Sequence, residues 1–503
     1  MTSLDALLRL AVVGHTNTGK TSLLRTLTRN PDFGEVQNSP GTTRHVEGVQ
    51  LHINNQPVVQ LFDTPGIEDS IALLEYLQRL IEPNERIAGP DLLKRFLETP
   101  EATGRFEQEA RVLRQLLASH AGLYVIDVRD PVLAKHHDEL KILIQAGKPL
   151  LPVLNFTRSA QQRIDEWRLA LANVGLHAIS EFDTVAPALG GEEQLYERLA
   201  LLVNQAHSTQ LGRLIEDIRQ QRKQRLYDAW RMLADMLVDV AAWRLVSQSD
   251  EKAMRESNER MQNLIREREE YCIKALLKRF NFSTRDYLPE ALALDGTRWE
   301  ADLFNPEVLK DLGIHVGKGV AAGAIAGATV DMLTLGFSLG TGTVIGAAAG
   351  GLWQGLDKWG QRLLGKWRGE VELSVDDAVI RVLALRQSAL IQALDARGHA
   401  AQTPIALMRA LTRLESTEND EETPNDLPHL SGIDWRKGSM PAGILEARAH
   451  PDWSSLARTG TVVSGRRDMV VTTLAERLAQ PASMQHSLTL TPVEPENHKS
   501  AAQ

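Results

Sequence analysis

Gly14-His-Thr-Asn-Thr-Gly19-Lys20-Thr21 decides the fold of this chain, and its setting is as informative as its letters. An apolar run, residues 7–13, precedes it and an amphipathic stretch, residues 22–28, follows it, so the order is strand, glycine-rich loop and helix. The two glycines let successive backbone N–H groups converge on one concavity, and the helix N-terminus adds partial positive charge. The sequence therefore predicts a loop that binds a polyphosphate.

Two side chains at the end of this loop carry its chemistry. Lys20 is long enough to reach the terminal phosphates, and the hydroxyl of Thr21 can ligate the Mg²⁺ that accompanies them. The predicted nucleotide-binding residues of the loop are Gly14, His15, Thr16, Asn17, Thr18, Gly19, Lys20, Thr21 and Ser22.

Length and composition indicate a soluble protein of several domains. At 503 residues the chain exceeds one ordinary core, and its contents of 43% hydrophobic and 24% charged residues are typical of globular proteins. The N-terminus shows no signal-like segment, and the single cysteine, Cys272, can form no internal disulfide, so we expect a cytoplasmic protein. The net charge of −9 argues against extensive coating of nucleic acid.

Apolar and amphipathic segments alternate through residues 1–205. The predicted strands are 7–13, 46–53, 58–62, 122–128, 149–154 and 177–182, and the predicted helices lie near 22–28, 106–119, 133–146, 159–174 and 192–203. This order predicts an α/β P-loop NTPase domain: a mostly parallel sheet with helices on both faces and ligands at the C-terminal strand ends. An insertion near residues 70–119 either reports nucleotide state to a partner or only embellishes the sheet edge.

Two further motifs follow the loop at informative spacings. Asp63-Thr-Pro-Gly66 ends a predicted strand, where Asp63 would hold Mg²⁺ through water and the Gly66 N–H would contact the γ-phosphate. Upstream, Thr43 in Pro-Gly-Thr-Thr43-Arg offers a second hydroxyl to Mg²⁺. The predicted catalytic residues are Lys20, Thr43 and Gly66, and the predicted Mg²⁺ ligands are Thr21, Thr43 and Asp63.

Together these motifs resemble those of the Era/TrmE-type bacterial GTPases, which share Gly-x-x-Asn-x-Gly-Lys-Ser/Thr, a Thr-Arg switch and Asp-Thr-x-Gly. The resemblance covers about two-fifths of the chain and implies a domain that binds GTP and GDP, uses Mg²⁺ and hydrolyses GTP slowly. It also implies that the domain is fused to a helical domain of unknown function.

The same resemblance assigns a role to Asn17, because the family uses this position to coordinate K⁺ against the phosphates. It implies hydrolysis stimulated by K⁺, in a homodimer formed through the G domains. K⁺ would offset charge that develops in the transition state, as an arginine finger does elsewhere. Alternatively, Asn17 serves only as a residue that tolerates a left-handed turn.

Ile67 follows Gly66 where Ras-like enzymes place a glutamine that orients water. An isoleucine forms no hydrogen bond, so another group must position the attacking water. Glu68, Asp69 and Glu75 are the acidic candidates.

The base-reading motif departs further from the family. In place of Asn-Lys-x-Asp the chain has Asn155-Phe156-Thr157-Arg158, and an arginine has donors only, whereas guanine is read by a carboxylate that accepts two N–H bonds. We expect Asn155 to contact the base or the loop, and Phe156 to stack on the base. Ala186 matches the alanine with which the family contacts the base through the backbone. Guanine specificity thus comes from the resemblance alone. An ATPase of the same fold, a relaxed nucleotide choice and a non-hydrolysing domain stay open.

Helical periodicity dominates residues 206–414. An apolar stripe, a break at 247–250 and a second charged helix predict an antiparallel hairpin, and residues 374–397 predict another helix after a short strand at 371–373. The basic run 219–225 is either a solvated helix face or a contact for RNA or anionic lipid. Residues 415–480 read as an acidic connector and a small C-terminal segment, and residues 481–503 as a disordered tail.

A glycine-zipper segment, residues 317–356, is the second informative feature. Glycines recur every fourth residue on each side of a predicted turn at 334–340, which puts each trio on one helical face: Gly319, Gly323 and Gly327, and Gly342, Gly346 and Gly350. Such spacing fits a hairpin at the inner membrane surface, a buried hairpin in a soluble core, or membrane-spanning helices.

Two alternatives in function follow. The chain is either a nucleotide switch that is peripheral at the inner membrane or a membrane-associated scaffold with incidental nucleotide turnover. RNA binding rests on the resemblance alone and is disfavoured by the acidic charge balance.

Overall fold

The computed structural model describes residues 7–30, 33, 47–287, 337–339, 370–401, 405, 431–436, 438–456 and 464–480. The chain forms two compact units, Met1–Gln224 with Ala396–Thr403, and Arg225–Asp395 with Pro404–Gln503. The boundary expected near residue 205 thus falls inside the first unit. The predicted Thr43, the two glycine trios of 317–356, the acidic residues 415–426 and the tail 481–503 lie outside the described residues.

A six-stranded sheet is the framework of the first unit. Its strands are β1 (Leu8–Val13), β2 (Glu47–Ile53), β3 (Gln56–Asp63), β4 (Ala121–Asp127), β5 (Leu150–Asn155) and β6 (Ser180–Glu181), in the order β2-β3-β1-β4-β5-β6. Only the edge pair β2 and β3 is antiparallel within this sheet. Every residue of β4 and β5 is buried, as expected for central strands covered on both faces. The sheet confirms the predicted α/β class.

In the described part of the first unit, seven helices and the N-terminal half of an eighth, Gln205–Ala242, contribute to the cores on the two faces of this sheet. The seven helices are α1 (Lys20–Thr28), α2 (Ser70–Arg79), α3 (Gly89–Leu97), α4 (Glu107–Ala118), α5 (Ala134–Ile144), α6 (Ile164–Asn173) and α7 (Gly191–Ala200). The insertion consists of α2, α3 and α4, and it contributes Leu77, Phe96 and Phe106 to the core on one face. Leu23 of α1 and Leu195 of α7 belong to the core on the other face.

The second unit is mainly helical around a small sheet. Helix α8 (Gln205–Ala242) carries the chain into it, and the further elements are β7 (Arg244–Gln248), α9 (Glu251–Arg279), β8 (Phe337–Leu339), β9 (Glu370–Val375), α10 (Asp377–Asp395), α11 (Ala442–Ala449) and α12 (Gly465–Ala479). Strand β9 lies between β7 and β8 and is antiparallel to both. The core of this unit includes Trp230, Leu276, Leu383, Trp435 and Leu474.

Two strands of the second unit were not predicted from the sequence. The break expected at 247–250 overlaps the end of β7, whose partner β9 lies far along the chain, so local periodicity carried no sign of the pairing. The turn expected at 334–340 contains β8, which also pairs with β9. The segment that ends at residue 480 supplies α11, α12 and the buried Trp453 to the core.

Cys272 lies on the buried side of α9, with its Sγ 4.0 Å from the carbonyl oxygen of Met232 on α8. Burial raises the pKa of this thiol to about 12. The described residues contain no helix with the combination of length and apolarity that crossing a bilayer requires.

Candidate nucleotide-binding site

The loop between β1 and α1 requires glycine at both ends. Gly14 has a φ of +143° and Gly19 a φ of +92°, where side chains are strained. A Cβ on Gly14 would lie 2.5 Å from the carbonyl oxygen of Val125, and one on Gly19 2.3 Å from Nδ2 of Asn155. Asn17 also has a positive φ of 66°, which is the left-handed turn conformation considered for it. The backbone therefore makes the tight curl that the motif predicts.

Lys20 crosses the concave side of this loop. Its Nζ donates to the carbonyl oxygens of Gly14, at 3.0 Å, and of His15, at 2.7 Å, and the side chain is only 7% exposed. Burial lowers the pKa of Lys20, while the negative charges of Asp63 and Glu139 act in the opposite direction. The ammonium group is therefore already desolvated and fixed at the phosphate-binding loop.

Thr21 and Asp63 meet at the adjacent ends of α1 and β3. The Thr21 hydroxyl donates to Oδ2 of Asp63 at 2.6 Å, and both side chains are buried. Thr64 fixes the strand end, because its hydroxyl donates to the carbonyl oxygen of Val12 on β1 at 2.7 Å. Hydroxyl and carboxylate oxygens are the ligands that Mg²⁺ prefers, so the donor set fits this ion.

Gly66 lies directly against the phosphate loop. A Cβ on this residue would stand 2.3 Å from Oγ1 of Thr16 and 2.6 Å from its backbone N. The next residue, Ile67, donates its N–H to the carbonyl oxygen of Gly14 at 3.4 Å, and its side chain is fully buried. Ile67 points into the core, so it leaves the positioning of water to another group.

The three acidic candidates after Gly66 have different surroundings. Glu68 is exposed and accepts the Thr16 hydroxyl at 3.5 Å, next to the phosphate loop. Asp69 caps the N-terminus of α2 and pairs with Arg105 at 3.1 Å. Glu75 pairs within α2 on its exposed side. Glu68 is therefore the candidate nearest to the predicted γ-phosphate contacts.

Asn155 ties three segments together. Its Nδ2 donates to the carbonyl oxygen of Thr18 at 3.0 Å, and its Oδ1 accepts the N–H groups of Phe156, at 2.9 Å, and Thr184, at 3.0 Å. The amide is fully buried, so the structure places it on the loop. The ring of Phe156 is covered by the guanidinium of Arg129, at 3.9 Å from the ring centroid.

Asp183 is a site residue that the sequence analysis missed. Its Oδ1 accepts the N–H groups of Val185, at 2.9 Å, and Ala186, at 3.1 Å, and its Oδ2 accepts that of Arg158 at 3.1 Å. The N–H of Ala186, proposed for a base contact, is thus engaged within the loop. The available signal was an acidic residue directly after the predicted strand 177–182.

A second missed group lies beneath the loop. His15 has its Nε2 2.8 Å from Nζ of Lys135 and its Nδ1 3.7 Å from Oε2 of Glu139. Glu139 is fully buried on α5, and this burial raises the pKa of its carboxyl group. The other loop residues have local contacts: Thr18 donates to the carbonyl oxygen of His15 at 3.1 Å, and Ser22 is half-buried in the first turn of α1. No sequence pattern indicated that Glu139 is buried together with the apolar residues of the same helix face.

Two sequence families match different parts of the chain. Residues 9–156 match the family described as 50S ribosome-binding GTPase, and residues 168–476 match the family described as Domain of unknown function (DUF3482). The first match spans β1 to Phe156 and the second spans the remaining helices of both units.

Among curated proteins, the tRNA modification GTPase MnmE of Synechococcus elongatus is 32% identical over 171 residues, which are 33% of this chain and 35% of that protein. MnmE of Pelagibacter ubique is 47% identical over 62 residues, or 12% of this chain and 14% of that protein. The chain thus spans about a third or less of the length of these relatives.

Solved structures of two other proteins match about two-fifths of the chain. Era of Aquifex aeolicus bound to GDP and AlF₄⁻ has 19% identity and a TM-score of 0.29, and the match covers 40% of this chain and 58% of that one. The G domain of the T. maritima FeoB iron transporter has 20% identity and a TM-score of 0.24, with 39% and 98% covered.

The phosphate loop, the Asp63 motif and the family matches agree on the nature of the first domain, and the resemblance to the Era/TrmE-type GTPases is confirmed. The chain belongs to the family of the Domain of unknown function (DUF3482), here joined to an N-terminal GTPase domain of the Era/TrmE type.

Proposed function

We propose that this protein is a GTP-binding and GTP-hydrolysing switch whose nucleotide state is passed to its helical domain. The observation that carries the proposal is the meeting of Lys20, Thr21, Asp63 and Gly66 at the neighbouring ends of β1 and β3. A buried ammonium, a hydroxyl–carboxylate pair and a closely packed glycine amide are the groups that bind a triphosphate and its metal.

In this proposal the loop N–H groups and Lys20 bind the phosphates, and Thr21 and Asp63, with Thr43, hold Mg²⁺. The ion supplies neutralisation of phosphate charge when bound. Glu68 accepts a hydrogen bond from the Thr16 hydroxyl at 3.5 Å and is the group that we assign to orient the attacking water, because Ile67 is buried. With no glutamine at that position, we expect intrinsic turnover of roughly 10⁻⁴–10⁻² s⁻¹.

Competition between nucleotides tests the central claim. The full chain is loaded with fluorescent GDP and titrated with GTP or ATP in the presence of Mg²⁺, and phosphate release is followed in parallel. Displacement by GTP at lower concentration than ATP, with slow release of phosphate, is the expected result. Equal or stronger displacement by ATP would favour an ATPase of the same fold, and displacement without phosphate release would favour the scaffold.

K⁺ stimulation is the finer part of the proposal. Asn17 lies in the loop with its backbone in the left-handed region, and the family position that it matches helps to coordinate K⁺. We expect faster hydrolysis in K⁺ than in Na⁺ at equal ionic strength, with a rate per molecule that rises with protein concentration if G domains pair. Equal rates in the two salts reject the role of K⁺, and a concentration-independent rate rejects the dimer.

The switch also needs a route from the nucleotide to the rest of the chain. Glu109 of α4 accepts the N–H groups of both Glu68 and Asp69 at 3.2 Å, so the insertion is bonded to the segment that follows Gly66. We infer that a change at Gly66 reaches the α2–α4 insertion through this carboxylate.

Membrane association is proposed from the glycine spacing within 317–356, which suits helices packed in or on lipid. Flotation of the full chain with liposomes, with GTP or GDP present, tests it, and protein that stays at the bottom of the gradient in both states rejects it. An RNA partner is the alternative raised by the tRNA modification GTPases, and retention on tRNA but not on liposomes would favour it.

A further inference from the structure

The two ends of the candidate site can be told apart by the order of the strands. Asp63 ends β3 and Gly66 follows it, on one side of β1, so both mark the metal and γ-phosphate end. β4, β5 and β6 lie on the other side, and with strands about 4.8 Å apart the β6 end is roughly 14 Å from β1. A nucleotide with its phosphates on the loop therefore extends its base towards the loops after β5 and β6. This step rests on the proposed function.

These two loops hold an acidic residue in an unexpected place. Arg158, where a carboxylate would read guanine, is exposed and carries donors only. Asp127, at the end of β4, is occupied by Arg129, whose Nε and Nη2 approach its oxygens at 2.9 and 2.6 Å. Asp183, which is 6% exposed, contacts both the β5 loop and the β6 loop.

The hydrogen bonds of Asp183 leave its carboxylate an acceptor position for a ligand. An ionised carboxylate has about four acceptor positions. Oδ1 accepts two backbone N–H groups, from Val185 and Ala186, and Oδ2 accepts one, from Arg158. Among the described residues, one acceptor position on Oδ2 thus remains, and the three N–H bonds fix the orientation of the carboxylate.

A single fixed acceptor is enough to separate the two purines. Guanine carries an N–H donor at N1, whereas adenine carries a lone pair at the same position. The carboxylate therefore bonds guanine and repels adenine. Leaving a buried polar group without a partner costs roughly 1–3 kcal/mol, which corresponds to about tenfold to hundredfold in affinity.

We propose that Asp183 is the specificity-determining residue of this nucleotide site, and that its Oδ2 accepts the N1–H of guanine in place of a carboxylate at position 158. The base-reading acid is thus supplied by the loop after β6. Because one acceptor position is available, the exocyclic 2-amino group of guanine contributes little to binding.

The wild-type chain tests this without any mutation. Fluorescent GDP on the full chain is displaced with GTP, ITP or ATP. Inosine keeps the N1–H and lacks the 2-amino group, so we expect ITP to bind within a few-fold of GTP, and ATP to bind roughly tenfold to hundredfold more weakly. ITP as weak as ATP would overturn the inference, because a single N1–H contact would not then explain selectivity.

Asp183→Asn gives the second arm. The amide oxygen keeps accepting from Val185 and Ala186, while its NH₂ group replaces Oδ2, loses the N–H of Arg158 and donates towards the base. We expect the ratio of GTP to ATP affinity to fall at least tenfold, with an absolute gain for ATP. A residue that only ties the loops together would weaken all three nucleotides alike, so an unchanged ratio overturns the inference.

Arg158→Ala is the matched control, since its side chain is exposed and should not read the base. We expect the wild-type ratio in this variant, and a changed ratio would assign selection to position 158 instead. Failure of the proposed function looks different: a wild-type chain that binds no nucleotide rejects nucleotide binding, and one that binds ATP and GTP equally rejects selection of guanine. Wild-type preference for GTP that survives Asp183→Asn rejects only the role of Asp183.

Discussion

Lys20 shows how a single residue is prepared for its ligand. It is buried with a lowered pKa and is bound only by loop carbonyl oxygens in the hydrogen bonds described, at 2.7 and 3.0 Å. An ammonium group in that position has already lost most of its water, so binding of phosphate replaces carbonyl contacts rather than a hydration shell. Its charge is therefore available at little further cost of desolvation.

We expect Lys20→Ala to weaken GTP binding on the order of a hundredfold or more, because hydrogen bonds to charged groups contribute about 1.5–3 kcal/mol each. The fold should persist, since the lost partners are the carbonyl oxygens of Gly14 and His15. Isothermal titration with GTP measures the affinity, and circular dichroism checks the fold. Lys141→Ala, on the exposed side of α5, is the control that should bind normally.

Glu139 makes stability depend on pH. Burial raises the pKa of its carboxyl group, so above pH 4.5 the folded chain still holds a proton that the unfolded chain has released. Stability therefore falls as the pH rises through the folded-state pKa. We expect Glu139→Gln to raise the thermal midpoint more at pH 8 than at pH 5, by roughly 2–4 °C for each kcal/mol recovered.

Melting curves at the two pH values check this prediction. Glu107→Gln, on an exposed part of α4, should show no such difference. An equal shift at both pH values for Glu139→Gln would mean that the buried carboxylate does not carry the penalty.

At the scale of elements, α4 holds the start of α2. Glu109 is 4% exposed, and one of its oxygens accepts both the Glu68 and the Asp69 N–H groups. The insertion therefore packs into the core of the first unit and is also bonded to Glu68 and Asp69, which follow Gly66. Removal of the Glu109 side chain breaks the second contact alone.

Glu109→Ala should lower the free energy of unfolding by about 1–3 kcal/mol, because two partly buried donors lose their acceptor. Glu109→Gln keeps an acceptor oxygen and should recover most of that loss. Urea unfolding of both variants measures the difference. Equal losses in the two variants would show that the charge of Glu109, rather than its hydrogen bonds to Glu68 and Asp69, holds α4 in place.

Elements were predictable where their signal is local. Strand β1, the phosphate loop and α1 follow from an apolar run, two glycines and an amphipathic stretch. Strands β7 and β8 were missed, because each gains its stability from β9 across a long sequence separation. Glu139 was missed for the same reason, because His15 lies far from it in the sequence. Asp183 was missed although it directly follows a predicted strand, because its contact with the N–H of Arg158 joins two loops that are distant in the sequence.

At the scale of the whole molecule, the chain has separate apolar cores. Two clusters cover the faces of the six-stranded sheet, and a third, with Trp230 and Trp435, fills the second unit. Each unit thus buries its own apolar surface, which is the condition for independent unfolding.

We expect two calorimetric transitions, of which only one moves with nucleotide. GDP at a hundred times its dissociation constant stabilises the unit that binds it by about 2.7 kcal/mol and leaves the other unchanged. Scanning calorimetry of the full chain with and without Mg²⁺ and GDP measures this. A single transition that shifts as a whole would show that the two units unfold cooperatively.

The sulfur between α8 and α9 has a practical consequence. Because burial raises its pKa to about 12, the only cysteine in the sequence is almost entirely protonated at neutral pH, and we expect it to react slowly with maleimides. A cysteine introduced at an exposed position would then be the main site labelled by a maleimide dye. Fluorescence from a chosen part of the protein can thus be recorded on the otherwise native chain.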